Sequence, residues 1–190
     1  MRLDIYLTKN LIESRTRAQN LIKLGFVRIN GVIAEKASYD VRENDEVTVE
    51  SNYAASLGGI KLQKALECDK ITAEGKKCLD IGASNGGFCD VLLNNGAQSV
   101  IALDVGECAL PERLSADKRI FVMDKTNARF LQPEQLPYVP DFITVDVSFI
   151  SLTQILPVVY SCLTPGGDAV CLIKPQFECG KQSLSKKEFP

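Results

Sequence analysis

The sequence predicts an α/β protein in which a parallel, doubly wound sheet occupies residues 61–190 and a small α+β domain occupies residues 1–52. Two observations predict this arrangement. Beyond residue 60, five apolar runs typical of strands alternate with segments long enough for helices, as in a parallel sheet with helices on both faces. The first fifty residues instead carry two helical patterns and then a hairpin signal. The small, polar stretch at 53–60 predicts a linker.

The elements of the amino-terminal domain follow from local patterns. A helical leucine spacing begins at Leu3, and Ser14 caps a second helical run that Gly25 closes. The pair Asn30 and Gly31 is typical of a tight hairpin turn, and the alternation in DEVTVE predicts a further strand.

In the larger domain, the strand candidates are KCLDIG, SVIALDV, RIFVMD, DFITVDV and DAVCLIKP, and the clearest helix candidates are GGFCDVLLNNG and TQILPVVYSCLTPGG. In open parallel sheets, ligands bind at the carboxyl ends of the strands. The charged residues expected there are Asp80, Asp104, Asp124, Asp146 and Lys174.

Charge is unevenly distributed along the chain. The whole chain has a formal net charge of -2, which gives no reason to expect a uniformly basic nucleic-acid binder. Residues 1–36, however, hold seven basic side chains against three acidic ones. Charge alone is compatible with binding to a phosphate backbone and equally with a solvated helix face. The candidate RNA-binding residues are Arg2, Arg15, Arg17, Lys23 and Arg28.

The run SRTRAQNLIKLGFVRINGVIAEKASYDVRENDEVTV resembles the small RNA-binding domain of ribosomal protein S4 and of several RNA-modifying enzymes. The resemblance covers Met1 to about Glu50. It favours the RNA-binding interpretation of the basic residues.

The segment LDIGASNGGF, residues 79–88, allows several interpretations. Gly82-Ala83-Ser84-Asn85-Gly86 has the spacing of a serine hydrolase elbow, but that chemistry needs a histidine and the chain has none. A dinucleotide-binding turn needs a second glycine where Ser84 stands, and it would bring pyrophosphate close to the Asp80 carboxylate. A tight strand-to-helix turn without any ligand also stays open.

A further interpretation of residues 79–88 is a turn that binds S-adenosylmethionine. A carboxylate at Asp80 suits a cofactor that carries an ammonium and a sulfonium better than one that carries phosphates. Gly82 and Gly86 let the backbone pass close to the cofactor. Asp104, one strand later, could accept hydrogen bonds from the ribose of a dinucleotide or of S-adenosylmethionine, so it does not distinguish the two.

The segments SLGGIKL, LDIGASNGGFCDVLL, DKTNAR, DFITVDVSFISL and LIKPQFECG resemble the hemolysin A (TlyA) type of ribosomal RNA methyltransferase, related to the FtsJ-like ribose methyltransferases. The resemblance implies a Rossmann-like fold, S-adenosylmethionine as cofactor, and ribosomal RNA or ribosomal subunits as partner. It also implies methylation of ribose 2'-hydroxyls by a Lys-Asp-Lys-Glu set.

Matched residue by residue, the first three members of that set are Lys61, Asp146 and Lys174. Lys174 would be the base or its electrostatic equivalent, Lys61 a neighbouring cation, and Asp146 would orient both. The residues that the resemblance assigns to the cofactor are Asp80, Gly82, Ala83, Ser84, Gly86, Gly87, Phe88, Asp104, Val105, Asp124, Asn127 and Asp146.

The sequence departs from the family pattern in three places. The catalytic glutamate and two further strands have no counterpart before Pro190, so we expect a methyltransferase sheet truncated at its carboxyl end. Ser56-Leu57-Gly58-Gly59 lacks a cation near Lys61. Pro111, in DVGECALPERL, is expected to disturb a helix start. These departures keep open a non-catalytic RNA-binding protein, and the family name keeps open haemolysin activity.

Other classes are disfavoured by composition. Seven cysteines at unequal spacings, without a Cys-x-x-Cys pair or a histidine, predict no metal site and a reduced state in the cytoplasm. No apolar run reaches the ~20 residues of a membrane-spanning helix. The oligomeric state is left open.

Overall fold

The computed structural model describes residues 1–12, 14–23, 25–49 and 57–179. The chain divides into two compact units, Met1–Leu57 and Gly58–Pro190. Residues 53–56 of the predicted linker lie outside the described residues, and residues 57–60 form the first turn of a helix.

The first unit combines two helices with a small antiparallel sheet. Strand β1 lies in the centre and pairs with β2 and β3, in the order β2-β1-β3. Its elements are α1 (Leu3–Asn10), α2 (Arg15–Lys23), β1 (Val27–Ile29), β2 (Val32–Ile33) and β3 (Val47–Val49).

Local signals account for the boundaries of this unit. Ser14 Oγ accepts a hydrogen bond from the Arg17 amide at 3.3 Å, as a helix cap does. Asn30 and Gly31 both have positive φ, 52° and 80°, which is the geometry of a two-residue hairpin turn. The predicted cap, hairpin and third strand are therefore confirmed.

The second unit is a five-stranded parallel sheet with helices. Its helices are α3 (Leu57–Asp69), α4 (Gly87–Asn94), α5 (Glu112–Ser115), α6 (Leu156–Cys162) and α7 (Pro175–Glu178). Its strands are β4 (Lys77–Ile81), β5 (Ser99–Leu103), β6 (Ile120–Met123), β7 (Phe142–Val145) and β8 (Asp168–Cys171). Three single-turn 3₁₀ segments, Ala128–Phe130, Pro133–Gln135 and Leu152–Gln154, occupy the connections.

The strand order β6-β5-β4-β7-β8 reverses direction at β4, so β5 and β7 flank β4 on opposite sides. This reversal opens a crevice at the carboxyl ends of β4, β5 and β7, where open α/β sheets bind ligands. Strands β5 and β7 are buried along their whole length. The predicted parallel α/β fold is confirmed, with five strands within the described residues.

Pro111 does not prevent a helix. It occupies the cap position with φ -62°, and the short helix α5 begins directly after it at Glu112. All seven cysteines are free thiols. No helix within the described ranges is long and apolar enough to cross a membrane. The same ranges hold no group of His, Cys, Asp or Glu side chains that could bind a metal ion.

Candidate active site at the carboxyl ends of the strands

A cavity of about 430 Å³ opens at the crevice where the strand order reverses. Its volume lies in the range of small-molecule sites. The residues that line it come from the ends of β4, β5 and β7 and from the segment after β6: Ile81, Gly82, Ser84, Leu103, Asp104, Val105, Thr126, Asn127, Ala128, Arg129, Asp146, Val147, Ser148, Phe149, Ile150 and Ile155.

Gly82 determines how closely the two central strand ends approach each other. It has φ +88°, and a Cβ at this position would lie 2.6 Å from the Asp146 carbonyl oxygen. The Asp146 amide in turn donates to the Ile81 carbonyl at 3.0 Å. A side chain at position 82 would therefore both strain the turn and displace the backbone of Asp146.

Asp104 follows β5 and is held by two backbone amides. Its Oδ2 accepts from the Ser84 amide at 2.9 Å, and its Oδ1 accepts from the Gly106 amide at 2.8 Å. The glycine turn and the end of β5 thus fix the orientation of one carboxylate on the cavity wall.

Asp146 and Lys174 form an ion pair at the cavity. Lys174 follows β8, and its Nζ lies 2.7 Å from Asp146 Oδ1 and 2.9 Å from Ser148 Oγ. Both side chains are largely shielded, with exposed fractions of 21% for Lys174 and 22% for Asp146. Asp146 Oδ1 is buried and accepts no hydrogen bond within the described residues, so its contact with the Lys174 ammonium is an ion pair. The structure therefore brings together two of the three predicted catalytic residues.

The loop after Asp146 is tied to the end of the chain segment that carries Lys174. Glu178 accepts hydrogen bonds from Ser151 Oγ at 2.6 Å and from the Leu152 amide at 3.0 Å, and these bonds lower its pKa. Phe149, in the same loop, has φ +64° and is 92% exposed. Its ring lies 5.2 Å from that of Phe177.

Lys61 is not joined to the pair. It is exposed on helix α3 and makes no hydrogen bond or ion pair with Asp146 or Lys174 in the described part of the chain. The structure therefore offers no contact for the cationic role assigned to Lys61.

Asp80 does not line the cavity. It is fully buried, and its carboxylate accepts from Thr144 Oγ1 at 2.9 Å and from Cys89 Sγ at 3.1 Å. Burial raises the pKa of Asp80 to about 6. Successive side chains of a strand point to opposite faces of the sheet, and the neighbouring residue Ile81 is the one that lines the cavity.

Asp124 also has a partner of its own. Its carboxylate accepts from the Cys108 amide at 2.7 Å, and this bond lowers its pKa. It holds the segment after β5 and does not line the cavity.

At Gly86, an added Cβ would lie 2.7 Å from the side chains of Leu110 and Leu114. Position 86 therefore faces Leu110 and Leu114 of the segment between β5 and β6. The predicted cofactor residues that line the cavity are Gly82, Ser84, Asp104, Val105, Asn127 and Asp146, and those that do not are Asp80, Ala83, Gly86, Gly87, Phe88 and Asp124.

Several lining residues were not singled out from the sequence. Arg129 and Thr126 follow β6, and Ser148 and Phe149 follow β7. The signal was present, because each lies within a few residues of a predicted strand end, where ligands bind in such sheets.

In the first unit, the candidate RNA-binding cations have different surroundings. Arg2 and Arg15 both contact the buried carboxylate of Asp4. Lys23 is exposed, and Arg28 donates to the Gly31 carbonyl at 3.4 Å. The fifth candidate, Arg17, is partly buried.

Comparison with known proteins identifies two families. The FtsJ-like methyltransferase family matches residues 54–189, and the S4 domain matches residues 1–47. The 16S/23S rRNA (cytidine-2'-O)-methyltransferase TlyA of Mycobacterium tuberculosis is 44% identical over 184 residues, which cover 95% of this chain and 69% of that protein. The Bacillus subtilis protein YqxC, a provisionally assigned rRNA methyltransferase, is 42% identical over 190 residues, 98% of this chain and 68% of that protein.

A solved structure is similar as well. The crystal structure of a candidate hemolysin from Lactococcus lactis shares 46% sequence identity at a TM-score of 0.68, covering 70% of this chain and 64% of that one. The chain thus spans about two thirds of the length of these relatives. The family match, which extends over most of the chain, confirms the resemblance carried by the sequence motifs: the chain belongs to the FtsJ-like methyltransferase family.

Proposed function

We propose that this protein transfers the methyl group of S-adenosylmethionine to a ribose 2'-hydroxyl of ribosomal RNA. The observation that carries the proposal is the Lys174–Asp146 ion pair at a cavity that is also lined by the glycine turn and Asp104. Relatives named as rRNA (cytidine-2'-O)-methyltransferases support the choice of reaction.

The cavity suits this cofactor. Two carboxylates, Asp104 and Asp146, line it, and carboxylate oxygens accept hydrogen bonds from ribose hydroxyls and from an ammonium. Asp104 and Gly82 would hold the nucleoside side of S-adenosylmethionine. When bound, the cofactor supplies a sulfonium-borne methyl group and leaves as a neutral thioether.

The ion pair supplies what the nucleophile lacks. A ribose hydroxyl is weakly nucleophilic at neutral pH, so the site must stabilise the negative charge that develops on its oxygen. The Lys174 ammonium would donate a hydrogen bond to that oxygen, and the Asp146 carboxylate would accept the hydroxyl proton. Ser148, which already accepts from Lys174, would keep the ammonium in place. The ion pair with Asp146 supports an electrostatic role for Lys174 rather than the role of a neutral base.

Transfer of tritiated methyl from S-adenosylmethionine to ribosomal RNA tests the proposal. We expect Lys174→Ala to lower the transfer rate by about 10²–10³-fold, the usual cost of losing a charge-stabilising donor. Lys118→Ala, which removes an exposed lysine away from the cavity, is the matched control and should leave the rate unchanged. Full transfer by Lys174→Ala would contradict the proposal.

Calorimetry separates the proposed enzyme from a non-catalytic RNA-binding protein. We expect the full chain to bind S-adenosylmethionine with micromolar affinity. A chain that binds RNA but takes up no S-adenosylmethionine would be the non-catalytic protein. The match of residues 54–189 to the FtsJ-like methyltransferase family supports the enzyme over the haemolysin alternative.

A further inference from the structure

The first unit contains a buried carboxylate surrounded by side chains predicted to bind RNA. Asp4 is fully buried. It accepts hydrogen bonds from Arg2 Nε at 3.0 Å, Arg2 Nη2 at 3.1 Å, Arg15 Nε at 2.9 Å and Gln19 Nε2 at 2.8 Å. Arg2 Nη2, Arg15 and Gln19 all reach the same oxygen, Oδ2.

The local fold places these groups together. Arg2 precedes helix α1, and Asp4 lies in the first turn of that helix. Arg15 begins helix α2, and Gln19 follows it by one helical turn, on the same face. Asp4 therefore links the starts of two helices through side chains that belong to both.

The arginines keep donors that Asp4 does not use. Arg2 gives Nε and Nη2 to the carboxylate, and Arg15 gives Nε. Within the described residues, Arg2 Nη1 and both terminal nitrogens of Arg15 have no hydrogen-bond partner, and the two side chains are 45% and 55% exposed. Two guanidinium groups facing one carboxylate leave an excess of one positive charge.

We propose that Asp4 is a positioning residue for RNA binding, which holds Arg2 and Arg15 side by side as a two-guanidinium site for the phosphodiester backbone. The proposal rests on the proposed function only in taking RNA as the substrate. A guanidinium that is already oriented loses less side-chain entropy when it binds, and its planar fork matches phosphate oxygens. The match of residues 1–47 to the S4 domain agrees with RNA as the ligand.

The sign of one mutational effect tests the proposal. Asp4→Asn removes a negative charge beside two arginines, so simple electrostatics predicts tighter RNA binding. The positioning role predicts weaker binding, because the amide no longer fixes both guanidinium groups. Glu43→Gln makes the same change of charge at an exposed position outside the cluster and is the matched control.

The experiment measures the binding of a fluorescein-labelled RNA hairpin to the full chain by fluorescence anisotropy at several salt concentrations. We expect Asp4→Asn to weaken binding about three- to tenfold and to reduce the slope of log K against log salt by about one phosphate contact. Glu43→Gln should bind as tightly as the unchanged chain or more tightly, with the same slope. Circular dichroism checks that each variant is folded.

A second pair of variants serves if Asp4→Asn fails to fold. Arg15→Lys keeps the charge but loses the fork, so binding should weaken about threefold. Arg42→Lys, an exposed position outside the cluster, should change nothing. Binding by Asp4→Asn equal to that of Glu43→Gln, or by Arg15→Lys equal to that of Arg42→Lys, would overturn the proposal. Because the assay measures binding alone, failure of methyl transfer would contradict the proposed catalysis and leave this site standing.

Discussion

The two units each contain a fully buried aspartate, and the two carboxylates are stabilised in opposite ways. Asp4 is surrounded by guanidinium groups, and the hydrogen bond from Arg2 is the main reason that its pKa lies well below the usual value. Among the described residues, Asp80 has the hydroxyl of Thr144 and the thiol of Cys89 as side-chain partners, and burial raises its pKa to about 6.

The difference shows what each unit is built to present. In the first unit a buried anion organises cations that face solvent, which suits a polyanionic ligand. In the second unit the buried Asp80 cross-links β4, β7 and α4, while the partly buried carboxylates of Asp104 and Asp146 line the cavity. Burial alone therefore does not tell whether a carboxylate stays charged. Its partners decide this.

The largest loss of stability is expected at Gly82 of the second unit, and Gly31 of the first unit is its comparison. Gly82→Ala should lower the free energy of unfolding by about 3–4 kcal/mol, since it adds positive-φ strain and a backbone clash with Asp146. Gly31→Ala has similar strain but open space around it, and should cost about 1 kcal/mol. Urea unfolding measures both. Equal losses would show that the approach of Asp146 to Gly82 is not constraining.

Neutralising the two aspartates should separate the units. Asp4→Asn should destabilise the first unit by about 2 kcal/mol, because the carboxylate and its charge-assisted hydrogen bonds are lost. Asp80→Asn at pH 7 should change the stability of the second unit by less than about 1 kcal/mol, because the described side chains that bind its carboxylate, Thr144 and Cys89, are neutral. Hydrogen exchange resolved by mass spectrometry reports each unit separately. A large loss in Asp80→Asn would refute the contrast.

The two units should also respond to pH with opposite sign. The pKa of Asp4 is lowered in the folded state, so the stability that its ionised carboxylate gives the first unit is present above the unfolded pKa of 3.8. This stability is lost as the pH falls below 3.8. The pKa of Asp80 is raised in the folded state, so the stability that its protonated form gives the second unit is present below pH 3.8. This stability is lost as the pH rises through about 6. Between pH 4 and 6.5, Asp80→Asn should make the free energy of unfolding of the second unit less dependent on pH. Asp4→Asn should leave the pH dependence of the first unit in this range unchanged.

A smaller effect than that of Asp4→Asn is expected at Thr144. Thr144→Val removes a hydrogen bond that lowers the pKa of Asp80 and keeps the side-chain shape. The pKa of Asp80 should rise further, and stability at pH 7 should fall by about 1 kcal/mol. The carbonyl stretch of a protonated carboxylic acid, followed by infrared spectroscopy, reports the pKa. An unchanged titration would mean that Thr144 does not contribute to the state of Asp80.

Most of the fold follows from the sequence because its signals are local. Alternating strand and helix runs predict the parallel sheet, Asn30-Gly31 predicts the hairpin, and Ser14 predicts the start of α2. The start of α5 after Pro111 was also within reach, since proline suits the beginning of a helix. The linker boundary was less accessible, because Leu57 and the two glycines after it carry no strong helical pattern.

The site was accessible where a residue directly follows a strand. Asp104 and Asp146 do so, whereas Lys174 follows the end of β8 at Cys171 by three positions. Because the strands are parallel, the ends of β7 and β8 lie at the same edge of the sheet, and Lys174 contacts Asp146. Asp80 lies one residue before the end of β4, and a single step along a strand reverses the face of the sheet to which a side chain points. Lys61 belongs to a helix whose placement against the sheet depends on packing, which no local pattern encodes.

The segment that follows Asp104 is hydrogen-bonded both to the glycine turn after β4 and to Asp124 after β6. The Ala109 amide donates to the Ser84 carbonyl at 2.8 Å, and the Cys108 amide donates to Asp124. These bonds connect the loops that follow three neighbouring strands, β4, β5 and β6. These bonds orient one wall of the cavity, so a small molecule that binds there would cost little ordering entropy in this part of the protein.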